Sequence, residues 1–63
     1  MTTPVTPDMI SIIKLARRLG YYTHVIAAFF GINQGRVSEV NTGKRGAGVP
    51  PAASLPADFP ARA

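Results

Sequence analysis

Between Asn33 and Arg45 the chain sets out polar side chains with different hydrogen-bonding capacities. Gln34 offers an amide that donates and accepts at once, Arg36 a rigid fork of donors, Ser38 a hydroxyl that does either, and Glu39 a carboxylate that only accepts. That set suits recognition of a patterned surface better than turnover. The chain has no cysteine and one histidine, His24, so thiolate chemistry is excluded and an imidazole-based metal shell has no second ligand. Without paired carboxylates, a nucleophile beside a base, or a phosphate loop, no enzymatic activity and no cofactor or metal is expected.

Charge narrows the partner. Lys14, Arg17, Arg18, Arg36, Lys44 and Arg45 face a single carboxylate, Glu39, between residues 14 and 45, within a chain of net charge +4. A positive field concentrated on so small a body favours a polyanion, and nucleic acid is the commonest. Basic charge alone also fits a solvated face or a membrane-surface helix, so the pattern decides. The longest apolar run, Val25 to Phe30, is far too short to span a bilayer. The N-terminus has no basic region followed by a long apolar run, so a cytoplasmic, nucleoid-associated protein is expected.

The elements that must position these side chains are short helices. Residues 1–5 read as a loose leader. Thr6, Pro7 and Asp8 then form a helix start, with a capping hydroxyl, a proline where its missing N–H costs nothing, and an acid at the positive end of the dipole. Met9, Ile12, Ile13, Leu15, Ala16 and Leu19 make one apolar arc, with Ser11, Lys14, Arg17 and Arg18 opposite and solvated, and Gly20 closes the helix. Thr23 is expected to cap a second helix, His24 to Phe30, ended by Gly31. Asn33 caps a third, from Gln34 to Asn41 or Thr42, ended by Gly43. Tyr21 and Tyr22 read as packing residues at a helix junction.

Two short helices joined by a brief glycine-containing turn make a helix-turn-helix arrangement. Counted from Thr23, its lock falls on Ile26, Phe30, Ile32, Val37 and Val40, with Ala27 as the small residue at the crossing and Gly31 in the turn. The run Gly31-Ile32-Asn33-Gln34-Gly35-Arg36-Val37-Ser38-Glu39-Val40-Asn41-Thr42-Gly43-Lys44-Arg45 resembles the turn and recognition helix of the lambda-repressor-like, Cro/XRE-type regulators. The resemblance covers residues 7 to 45 and is most specific from 31 to 45. It implies an all-α domain, truncated to about three helices, that places the third in the major groove of double-stranded DNA. The fourth and fifth helices usual in that family are replaced by a proline-rich tail.

In such a unit the leading side chains of the third helix meet base edges while flanking groups hold phosphates. Gln34 suits adenine, Arg36 guanine, Glu39 the amino group of cytosine, and Ser38 either partner. Glu39 has a second reading, an ion pair with Arg36 one helical turn earlier. Gly35 lets the backbone come close. Thr23, His24 and Asn33 sit at helix starts, which attract phosphate, and Asn41, Thr42, Lys44 and Arg45 follow the helix as further backbone contacts.

The tail, residues 46–63, breaks every period with Pro50, Pro51, Pro56 and Pro60 and is expected to be extended. Arg62, near its end, has no specific role. Val25 and Phe29 are apolar where a helix-turn-helix usually faces water. With Ile10, or with Leu55 and Phe59 from the tail, they make either an interface for self-association or a partner, or a face that the tail covers within one chain. Three functions follow. The first is a transcriptional regulator of bacterial or phage type that binds DNA as a dimer or higher oligomer. The others are an architectural or recombination accessory protein that coats DNA, and a protein-binding adaptor or antagonist using the Val25/Phe29 face and the tail.

Overall fold

The computed structural model describes residues 5–61, so most of the leader and Arg62 lie outside the described residues. Three helices form, α1 Pro7–Arg18, α2 Thr23–Phe30 and α3 Gln34–Asn41, with no strand among the described residues.

Each boundary has a local cause. The Thr6 hydroxyl accepts from the Met9 amide at 3.2 Å, and the Met9 thioether accepts in return from the Thr6 amide, a reciprocal cap in which sulfur takes the usual carboxylate position. Pro7 opens α1. The three helices end alike: Tyr21 N–H donates to Ala16, Ile32 to Ala27 and Lys44 to Glu39, each two or three residues past the helix end and crossing a glycine. Gly31 shows why glycine is needed there, since its φ of 67° carries a penalty for any residue with a Cβ. Thr23 does not cap α2. Tyr22 holds the cap position without a side-chain hydrogen bond, and Thr23 is the first helical residue; the chain leaves Gly20 and Tyr21 already aimed into the helix, one residue earlier than its polar signal suggests.

Ile13, Ala16, Ile26 and Val37 are fully buried and form the centre with Ile10, Tyr21, Ala27, Ile32 and Val40. The lock between α2 and α3 is therefore made by Ile26, Ala27, Ile32, Val37 and Val40, with Phe30 half-buried at its edge. On α1 the apolar arc is rotated from the expected one. Ile10 is buried, Met9, Ile12 and Leu15 are half-buried, and Leu19 is 44% exposed.

The cause of that rotation is the segment 46–61. It has no helix or strand, as its prolines require, yet it runs back across α1 and α2 rather than away from them. Lys14, expected to be solvated, donates its ammonium to the carbonyls of Gly46, at 2.6 Å, and Val49. The Ala52 amide donates to Ser11 at 2.9 Å, and the Tyr21 hydroxyl to Pro60 at 2.8 Å. Val49, Leu55 and Phe59 pack against the core, as does Val5, which thus belongs to the fold rather than to a loose leader. The segment is a strap that closes one side of the core.

Candidate nucleic-acid interface

α3 is amphipathic in the simplest way. Val37 and Val40 are buried beneath it, while Gln34, Gly35, Arg36, Ser38, Asn41 and Thr42 are exposed on its outer side. Asn33 fixes its start, the side-chain carbonyl accepting from the Gly35 amide at 2.7 Å. That bond occupies the Asn33 oxygen with the helix and leaves its amide nitrogen to face outward. A shallow depression of about 320 Å³ lies between Asn33, Gly35, Arg36 and Glu39.

Charge on this face is organised by Glu39. Its carboxylate accepts from Arg45 Nε at 3.1 Å and from Arg36 Nη1 at 3.4 Å. The hydrogen bond from Arg45 holds the carboxyl below its ordinary value; loss of hydration opposes this and the charges of Arg36 and Arg45 add to it. The ion pair with Arg36 is thus present, and the carboxylate is engaged rather than held out for a base. The link to Arg45 was not visible in the sequence, because six residues is no helical neighbour spacing. It exists because the chain reverses at Gly43, bringing the Lys44 and Arg45 amides onto the Glu39 carbonyl at 2.9 and 3.3 Å. Gly43, just beyond the Thr42 cap of α3, is the one signal that foreshadows the return.

The other expected contacts divide. Lys44 is exposed beyond the helix end, whereas Arg45 has its Nε engaged and only its terminal nitrogens left for another partner. The Thr42 hydroxyl donates inward to the carbonyls of Ser38 and Glu39, leaving only its acceptor capacity outward. His24 is exposed and stacked on Tyr22, with ring centroids 5.6 Å apart and planes 9° off parallel, while Thr23 beside it is half-buried. Tyr22 is 68% exposed rather than packed at a junction.

The apolar set resolves into an intramolecular contact. Phe59 lies against Phe29 at a centroid distance of 4.5 Å and meets Tyr21 edge-on at 5.0 Å. Val25, Phe29, Leu55 and Phe59 are all half-buried within one chain. No group of three or more metal-ligating side chains occurs among the described residues, and no helix is long and apolar enough to cross a membrane. Compared with known proteins, the chain matches no family model, no curated protein and no solved structure.

Proposed function

We propose that this chain is a sequence-specific DNA-binding transcriptional regulator that lays α3 in the major groove. The observation that carries this reading is the outward row of Gln34, Arg36 and Ser38 on a helix whose opposite side is anchored by Val37 and Val40. A rigidly seated helix with free hydrogen-bonding groups at its leading end is what base readout requires. Gln34 pairs with adenine, Arg36 with guanine through the donors Glu39 leaves free, and Ser38 adds a single bond. Lys44, His24 and the terminal nitrogens of Arg45 hold phosphates on either side, and Gly35 lets the backbone approach.

One eight-residue helix makes few base contacts, so useful affinity comes from two or more copies on repeated half-sites. It belongs where DNA is, in the cytoplasm on the nucleoid, and it needs no cofactor. An adaptor function through Val25 and Phe29 requires that face to be open, and Phe59 lies on it.

Selection of bound duplexes from a random pool tests the reading. A common half-site, recurring with spacing near one helical turn, is expected. Gln34→Ala is then expected to cost about 1–3 kcal/mol on that site and to relax preference at one base. Enrichment of no sequence, with equal affinity for winner and random DNA at matched salt, overturns specific recognition in favour of coating. No salt-dependent binding at all overturns both.

A further inference from the structure

Three of the basic side chains lie on α1 rather than on α3. Lys14, Arg17 and Arg18, within one turn and a half of α1, line a cleft of about 520 Å³ whose far wall is the end of α3, Asn41 to Gly43. Among the described residues no carboxylate lines it, and the ion pairs found among them are those of Glu39, on another face. Like charges three and four residues apart on a helix repel. Both α1 and α3 end at this cleft, but a helix C-terminus contributes only about half a negative charge, so two of them leave three full cations in clear excess.

The hydrogen bonds make the excess specific. Lys14 spends two of its three N–H donors on Gly46 and Val49. Arg17 Nη1 donates to the Tyr21 carbonyl at 2.6 Å, while its Nε is buried with no acceptor. A buried charged donor without a partner is costly, and such groups in folded proteins are normally satisfied by something. Arg18 is exposed at the rim. A tetrahedral oxyanion supplies several acceptors and one to two negative charges, which matches an unspent ammonium proton, the Nη donors that Arg17 does not spend on Tyr21 and a free guanidinium.

We propose that this cleft binds a phosphoryl group, either of a nucleic-acid backbone or of a free phosphate. The site does not depend on how α3 reads DNA. Its test is amide and arginine-side-chain NMR of the full chain titrated with inorganic phosphate and with pyrophosphate, against sodium chloride at matched ionic strength. A third titration uses a short duplex of random sequence.

Saturable shifts at Thr42, Gly43, Ala47 and Arg17 Nε are expected with phosphate. Arg18→Gln, at an exposed position, should keep the dispersed spectrum and weaken phosphate about tenfold, the loss of one charge-assisted contact. If the duplex moves the same amides and phosphate competes with it, the group is a backbone phosphate; if free phosphate alone moves them, it is a free ion. Shifts no different from those in chloride, or Arg18→Gln titrating like the wild type, overturn the site. Duplex-induced shifts confined to Gln34, Gly35 and Arg36, with no phosphate response in the cleft, would overturn it while leaving the α3 reading standing, and duplex-induced shifts confined to the cleft would do the reverse.

Discussion

Glu39 stands where guanidiniums from within α3 and from beyond its end converge, and its carboxylate does two opposed things. It holds Arg36 and Arg45 in place, and it lowers the positive field of this face, which on the proposed function would draw DNA. Glu39→Gln should therefore bind random duplex more tightly, by several-fold at low salt, and discriminate less well among sequences, because Arg36 is no longer held. Fluorescence anisotropy on a selected and a random duplex at two salt concentrations measures both effects; a variant that gains affinity and keeps its full discrimination shows that the carboxylate positions nothing. The same carboxyl predicts a pH dependence. Its native value is depressed from 4.5, so the folded state binds the proton less readily than the unfolded chain. Its contribution to stability is fully present above about pH 4.5 and is lost as pH falls through the lower native value. Urea midpoints of wild type and Glu39→Gln should then differ by a constant amount at neutral pH and converge in acid. A difference that grows in acid has the wrong sign.

At the scale of the element, the helices are set by their ends more than by their middles, since eight residues are too few for an isolated helix to be stable in water. Asn33→Ala removes the acceptor held 2.7 Å from the Gly35 amide and should cost about 1 kcal/mol in urea denaturation. Gly31→Ala meets no heavy atom within 4 Å, so its cost is that of the left-handed backbone alone, about 1–2 kcal/mol. A neutral Gly31→Ala would mean that the turn relaxes freely and does not fix the angle at which α3 is presented. These ends were legible in the sequence because caps and glycine stops act over three or four residues, which a linear reading spans. Thr23 misled because a threonine before an apolar run reads as a cap whether or not the backbone turns there. Tyr22, with no side-chain bond to offer, gave no sign of holding the position.

For the whole molecule, the decisive contacts are those no periodicity carries. Lys14 to Gly46 and Tyr21 to Pro60 join positions 32 and 39 residues apart, and a proline-rich segment announces only what it cannot form. That is why the sequence alone places neither Ile10 in the core nor Lys14 against the strap, while α3, whose burial is decided by its immediate neighbours, is legible from it. Gly46 shows how closely the strap lies. A Cβ built there comes within 2.7 Å of two Ile10 side-chain atoms, at a φ of 67°, so Gly46→Ala should lift the strap and destabilise the fold by more than the same change at Gly31. Phe59 anchors the other end. It is half-buried, so Phe59→Ala should cost about 1–3 kcal/mol, below the range for a fully enclosed phenylalanine. If strap and helices form one cooperative unit, the loss is shared with the ring it touches, and Phe29→Ala and Phe59→Ala should couple by about 0.5–1.5 kcal/mol, the worth of an aromatic pair. Urea unfolding of the two single variants, the double variant and the wild type closes that cycle. Effects that simply add, to within about 0.5 kcal/mol, would mean that the ring contact contributes nothing and that the strap is held by its other contacts alone.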